Sequence, residues 1–207
     1  SEIYVTMTLS ITSANTSARK SVNQYAKKRE SGRLSRPYRA AMKKAIARVE
    51  SQLGKSYSII IGGKRRKAPG TFKSLNPADP SQVIGVFQKA DTKLADQAVE
   101  AAFKKFSEWK FESASKRASY LFRMAKIMRR RKLELAAWMV FEVGKSWPEA
   151  DGDVAEAIDF CDFYAREALR YGGEQPVLQI PGEKDEMVYI PLGVGVVIPP
   201  WNFPFAI

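Results

Sequence analysis

The sequence contains no histidine and a single cysteine, Cys161. Zinc sites and nucleophile–histidine pairs depend on these two residue types, so neither can form within this chain. An intrachain disulfide is equally impossible, which agrees with a reducing compartment, and we expect a cytoplasmic protein. The acidic residues show no spacing typical of a magnesium or calcium site, so no resident metal is expected.

The sequence also lacks a glycine-rich phosphate-binding loop of the GxGxxG type. Residues 1–4 do not begin the basic region and long apolar core of a signal peptide. Residues 187–207 are uncharged and long enough to cross a bilayer, but four prolines and two glycines interrupt them. Proline breaks a helix, so this pattern predicts buried strands and a loop, with no membrane span.

Positive charge is concentrated in the first third of the chain. Residues 1–67 hold 16 of the 34 Lys and Arg but three of the 22 Asp and Glu, and the remainder is nearly neutral. Such asymmetry is typical of a module that contacts nucleic acid or an acidic membrane surface, or of a solvated helical arm. Sparse aromatic residues in this region disfavour a platform on which bases stack, so we expect no nucleic-acid partner.

Hydrophobic periodicity and turn residues predict an α/β protein. The predicted elements are a helix between Pro37 and Gly54, a strand at residues 57–61 that enters a hairpin at Gly62-Gly63, a turn at residues 74–80, a strand at residues 83–87, helices that begin near Asp91 and Ser115, and a long helix over residues 148–171. Residues 1–44 are predicted to form a basic, partly flexible arm, and residues 45–207 to form the folded part.

Two further strands are predicted near the end of the chain, at residues 186–192 and 195–198. The second is almost entirely β-branched and apolar, which is typical of a strand buried on both faces of a parallel sheet. The sequence stops shortly afterwards, although a buried strand needs a covering layer. We therefore expect this polypeptide to be a piece of something larger.

Two features have ordinary structural interpretations that we favour over functional ones. Cys161 lies on the apolar stripe of the long helix, so it is predicted to be a core residue and not a nucleophile. The basic run at residues 129–132 is predicted to lie on a solvated helix face.

The loop at residues 198–204 directly follows the second predicted strand. Ligands of α/β sheets bind beyond the carboxyl ends of parallel strands, and prolines stiffen this loop. Asn202 places an amide donor there, which could stabilise a developing oxyanion. The alternative is that Asn202 belongs to a simple turn.

The chain resembles the aldehyde dehydrogenase superfamily from about Ala45 to its end. The Pro-Trp-Asn-Phe-Pro motif after a hydrophobic segment carries this resemblance. Within the superfamily it resembles most the Δ1-pyrroline-5-carboxylate dehydrogenases, free-standing or fused in bifunctional proline-utilisation proteins. The residues that indicate this group are residues 74–77 and 80–85, residues 141–145 (FEVGK), residues 149–160 (EADGDVAEAIDF) and residues 164–166.

The resemblance implies that residues 45–207 are the incomplete N-terminal part of a Rossmann-like NAD-binding domain, without the catalytic domain. It also implies that the intact enzyme is a homo-oligomer. That enzyme would use NAD to oxidise a small aldehyde, L-glutamate γ-semialdehyde, to L-glutamate in proline catabolism. By the same resemblance Asn202 would donate its amide to the thiohemiacetal oxyanion. The implied NAD-pocket residues are Ile198, Pro199, Pro200 and Trp201, and the implied substrate-side residues are Glu142 and Phe203. For Glu142 the alternative is a helix-end carboxylate paired with Lys145 or another base.

In the resembled family the nucleophilic cysteine and the base glutamate lie downstream of the Pro-Trp-Asn-Phe-Pro motif. Cys161 precedes that motif and cannot take the nucleophile's place. The isolated chain is therefore expected to be inactive. A basic binding module and a truncated, non-catalytic structural partner remain as alternatives.

Overall fold

The structure, a computed structural model, describes residues 35–207. In chain order its elements are α1 (Arg36–Glu50), β1 (Lys55–Tyr57), β2 (Ile59–Ile61), β3 (Lys64–Arg66), β4 (Gly70–Asn76), β5 (Asp79–Lys89), α2 (Thr92–Trp109), α3 (Ala114–Arg130), α4 (Lys132–Val143) and α5 (Trp147–Tyr171). Five helices and small sheets confirm the predicted α/β class. Most of the predicted basic arm, residues 1–34, lies outside the described residues.

Strand β5 is the centre of a three-stranded mixed sheet, with β1 parallel to it on one side and β4 antiparallel on the other. The register places Tyr57, Phe87 and Phe72 side by side, with neighbouring ring centroids 5.1 and 5.7 Å apart. A Cβ on Gly85 would lie 2.9 Å from the Tyr57 ring, so a larger residue at this position would displace the aromatic row. The strand predicted at residues 83–87 is confirmed.

Strands β2 and β3 form the predicted hairpin. Ile61 pairs with Lys64, and the two residues between them are Gly62 and Gly63, with φ angles of 56° and 73°. A two-residue turn with positive φ at both positions matches the twist of the strands, and glycine adopts it without a steric penalty. The Gly-Gly pair therefore determines the hairpin locally.

Polar caps define where helices α2, α3 and α5 begin, and Ser35 caps α1 in the same way. The side chains of Asp91 and Ser113 accept hydrogen bonds from the third residue of α2 and α3, respectively. Ser146 and Glu149 form a reciprocal capping box at the start of α5. Such caps satisfy backbone N–H groups that lack partners inside the helix, which explains why these starts agree with the sequence predictions.

The core lies between helices α1, α3, α4 and α5. Helix α5 packs along α3 and α4, and α1 packs on α4. Several of the buried residues on these helices are alanines. The buried cluster comprises Met42, Val49, Ile84, Ala125, Met128, Ala136, Ala137, Met139, Phe141, Ala150, Val154, Ala157, Ile158 and Ala206.

Helix α1 continues across the boundary predicted between residues 44 and 45. On its first turns, Met42 is completely buried and the Tyr38 hydroxyl donates to Asp151 Oδ1 at 3.2 Å. The other oxygen of Asp151 lies 2.8 Å from Lys132 Nζ, so α1, α4 and α5 are linked at one carboxylate. We propose that residues 36–44 belong to the folded body and that the arm ends before them.

The strands predicted at residues 186–192 and 195–198 are wrong for this structure. Residues 172–207 contain no regular helix or strand, and Ile190, Leu192 and Ile198 are largely exposed. A strand needs a neighbouring strand to accept its backbone hydrogen bonds, and within residues 35–207 no strand lies beside this segment. Over the same range, no helix combines the length and the apolar character needed to cross a bilayer.

Candidate active site

The Pro-Trp-Asn-Phe-Pro segment forms a tight turn at the surface. The Phe203 N–H donates to the Pro200 carbonyl at 3.2 Å, and this bond encloses Trp201 and Asn202. Asn202 is exposed at the tip. Asn202 is therefore accessible to solvent, and the structure shows a turn with an exposed asparagine at this position.

The downstream side of the turn is attached to the body of the protein. Phe203 and Phe205 pack against the helical core, and Ala206 is part of it. The Ala206 N–H donates to Asp153 Oδ1 at 2.7 Å. A residue of α5 therefore anchors the chain four residues after Asn202.

Asp153 and Lys145 form a buried ion pair below the turn. Asp153 is 3% exposed, and its Oδ2 lies 2.5 Å from Lys145 Nζ. The same Nζ lies 4.6 Å from the centre of the Phe203 ring, within cation–π range. The sequence interpretation missed this pair, although a signal existed. Asp153 follows Ala150 by three residues and precedes Ala157 by four, so it lies on the same apolar face of α5.

The four residues implied to contact the cofactor precede Asn202 directly and are all exposed. Ile198 and Trp201 are 88% and 81% exposed. Large exposed apolar side chains next to a polar donor are typical of a surface that another group covers. The structure therefore places Ile198, Pro199, Pro200 and Trp201 together with Asn202.

Glu142 lies elsewhere, near the end of α4. It borders an open groove of about 370 Å³ together with aromatic side chains of the mixed sheet and α4. Residues 198–203 do not line this groove. Glu142 does not form the alternative ion pair with Lys145, because Lys145 pairs with Asp153. Glu142 is exposed as a residue, and partial desolvation at the groove raises the pKa of its carboxyl above the ordinary value.

We expect Glu142→Gln to stabilise the protein slightly at neutral pH, since solvent screens most of the cost of a carboxylate that is still exposed. The pKa of Glu142 is higher in the folded state than in the unfolded state. The free energy of unfolding therefore falls as pH rises from the unfolded-state pKa to the folded-state pKa. Above the folded-state pKa the loss is complete. A neutral amide avoids this cost. Thermal unfolding should show a higher midpoint at pH 7 and little difference below about pH 4. Glu174→Gln, at an exposed carboxylate after α5, is the control; a lower midpoint for Glu142→Gln at pH 7 would contradict the prediction.

Cys161 packs partly buried against the core, as predicted. Burial raises the pKa of its thiol, which disfavours the thiolate. Arg129, Arg130 and Arg131 are exposed, as predicted for the basic run, but the run spans two helices, because Arg131 separates α3 from α4. Three of its members, Arg129, Arg131 and Lys132, form ion pairs with Asp162, Glu134 and Asp151, respectively. Among residues 35–207, no group of three metal-ligating side chains is close enough to hold a metal ion.

Several known proteins are similar to this chain. It is 50% identical over 167 residues to 1-pyrroline-5-carboxylate dehydrogenase 2 of Bacillus subtilis, covering 81% of this chain and 32% of that protein. It is 49% identical over 169 residues to 1-pyrroline-5-carboxylate dehydrogenase of Geobacillus kaustophilus, covering 82% and 33%. The chain therefore spans about a third of the length of these curated relatives.

Solved structures show the same relationship. A Thermus 1-pyrroline-5-carboxylate dehydrogenase with bound NAD superimposes with a TM-score of 0.79 at 48% identity, covering 83% of this chain and 34% of that one. Proline utilization A from Bdellovibrio bacteriovorus gives 0.81 at 39% identity, covering 83% and 18%. Residues 64–207 match the aldehyde dehydrogenase family. With the exposed asparagine turn, this match over most of the sequence shows that the chain belongs to the aldehyde dehydrogenase family.

Proposed function

We propose that the protein containing this chain uses NAD to oxidise L-glutamate γ-semialdehyde, formed from Δ1-pyrroline-5-carboxylate, to L-glutamate in proline catabolism. The observation that carries this proposal is the anchored turn that presents Asn202 to solvent. It occurs in a chain about half identical to proteins named 1-pyrroline-5-carboxylate dehydrogenase. These similarities favour a dehydrogenase over the basic binding module and the non-catalytic partner that the sequence left open.

Asn202 would stabilise negative charge on the substrate oxygen. When a cysteine thiolate adds to the aldehyde carbon, the carbonyl oxygen becomes an oxyanion, and the Asn202 amide would donate a hydrogen bond to it. The resemblance assigns the cysteine and the base glutamate to positions downstream of this chain. This chain would therefore contribute the preorganised Asn202 donor and the surface around it.

Residues 198–201 would provide part of the NAD site. Their exposed apolar side chains fit the flat, weakly polar rings of a dinucleotide. Residues 187–207 carry no charged side chain, so the phosphate groups would be held by other parts of the protein. NAD, when bound, supplies the acceptor for the hydride that leaves the substrate carbon.

Of the two substrate-side candidates, Phe203 is better supported than Glu142. Phe203 directly follows the proposed donor, and its half-buried ring is fixed between the core and Lys145 Nζ. Glu142 lies in a separate groove. We further propose a cytoplasmic location and a homo-oligomeric assembly for the intact protein.

The test is an assay of the complete gene product that contains this chain. Incubation with Δ1-pyrroline-5-carboxylate and NAD⁺ should yield NADH and L-glutamate in equal amounts. Reactions with NADP⁺ and with an aldehyde that lacks the α-amino acid group test the choice of cofactor and substrate. The 207-residue chain alone should produce no NADH. A folded gene product that reduces NAD⁺ with neither aldehyde would refute the proposal.

A further inference from the structure

We propose that the buried Asp153–Lys145 pair is a positioning device that holds the turn carrying Asn202. This inference rests on the proposed function, because it assigns a role to residues that act through Asn202. Neither Asp153 nor Lys145 belongs to the turn itself. They lie on α5 and in the link between α4 and α5, and they contact the chain immediately after the turn.

Both oxygens of the Asp153 carboxylate are engaged. Oδ1 accepts the Ala206 N–H at 2.7 Å, and Oδ2 accepts from Lys145 Nζ at 2.5 Å. The first bond joins residues 53 positions apart in sequence. Hydrogen bonds to a charged group are shorter and stronger than neutral ones, and burial strengthens them further. A single carboxylate thus connects α5, the α4–α5 link and the segment after Asn202.

Lys145 provides a second point of attachment. Its Nζ neutralises Asp153 and also lies over the Phe203 ring. Gly144, with φ of 66°, ends α4 in the left-handed conformation and directs the chain into Lys145. The turn is therefore held at the Phe203 ring and at the Ala206 amide, one and four residues after Asn202.

Residues 190–199, directly before the turn, have no comparable support within the part of the chain that the structure describes. The nearest upstream ring contact is that of Tyr189 with Tyr171 on α5. Residues 184–199 form no backbone–backbone hydrogen bond. Ile198 and Trp201 are mostly exposed. The location of the Asn202 amide therefore depends on the downstream contacts. A displacement of about 1 Å at a catalytic group can reduce rate about 10²-fold.

The first experiment measures Asp153→Asn in the complete gene product. The asparagine side chain at position 153 keeps an oxygen acceptor but loses the negative charge, so it should hold the turn less firmly. We therefore expect kcat to fall about 10- to 100-fold. The KM for NAD⁺ should change much less. Amide hydrogen exchange at residues 203–207 should become faster. Glu156→Gln, at an exposed carboxylate on the same helix, is the control and should change neither quantity.

Asp153→Asn removes the counter-ion of Lys145 and could prevent folding, so a second variant is needed. The double substitution Lys145→Gln with Asp153→Asn leaves two neutral amides and no unpaired buried charge. It should fold, as judged by a cooperative thermal transition, and should show the same loss of kcat and faster exchange. The single variants Lys145→Arg and Lys145→Gln complete the comparison. Lys145→Arg preserves the positive charge and should therefore have a higher kcat than Lys145→Gln.

The decisive measurement combines Asp153→Asn with Asn202→Ala. If Asp153 acts through Asn202, the combined variant should turn over within about twofold of Asn202→Ala alone, because the donor to be positioned is already absent. If the losses in kcat of the two single variants multiply in the combined variant, the positioning role is overturned. A wild-type kcat in Asp153→Asn would overturn it as well. Wild-type turnover in Asn202→Ala alone would instead refute the oxyanion role in the proposed function.

Discussion

Replacing Asn202 with alanine is expected to lower the turnover of the intact enzyme by about 10²–10³-fold, the usual cost of losing one oxyanion donor. The amide is exposed at the tip of an anchored turn, so its removal should alter little of the surrounding packing. The loss should appear in kcat, since the hydrogen bond strengthens as charge develops on the substrate oxygen. Steady-state kinetics with Δ1-pyrroline-5-carboxylate and NAD⁺ measures it.

Two companion variants separate the donor role from local disturbance. Asn202→Asp keeps the shape but replaces the donor with a negative charge, and should be at least as slow as the alanine variant. Gln179→Ala removes another amide from the segment after α5 and should retain normal turnover. If Asn202→Ala matches the wild type in kcat and kcat/KM, the amide does not stabilise the oxyanion.

The largest expected effect on stability is that of Met42→Ala, which should lower the free energy of unfolding by about 2–5 kcal/mol. Met42 is completely buried on α1, in the face that packs on α4. Truncation removes apolar contacts and leaves a cavity that the surrounding helices can fill only in part. Urea denaturation of the intact protein measures the change.

Lys44→Ala is the matched control for this helix. Lys44 is exposed on α1, and its replacement should change stability by no more than about 0.5 kcal/mol. An equally small effect for Met42→Ala would show that residues 36–44 contribute little to the core. The predicted boundary after residue 44 would then be preferable to the one proposed from the helix.

Local signals explain the elements that the sequence predicted well. Gly62-Gly63 adopts a turn that other residues enter at a cost, and Asp91 supplies a hydrogen bond at the exact start of α2. The long helix α5 combines a capping box with a sustained apolar stripe. Each of these features depends on residues a few positions apart, so it can be read without knowledge of distant contacts.

The predicted strands at residues 186–192 and 195–198 failed for the opposite reason. Alternating and β-branched apolar residues indicate compatibility with a sheet, but a strand exists only beside a partner that completes its hydrogen bonds. The described residues bring no such partner to this segment. Its composition therefore could not decide its conformation.

By itself, the sequence determined the α/β class through local periodicity and turn residues. The family and Asn202 as the candidate donor came from the resemblance carried by the Pro-Trp-Asn-Phe-Pro motif. Only the tertiary structure decided that Asp153 and Lys145 hold the turn and that Glu142 occupies a different groove. The reason is physical: the bond between Asp153 and Ala206 joins residues 53 positions apart, and they meet because the irregular segment after α5 folds back onto the helical core.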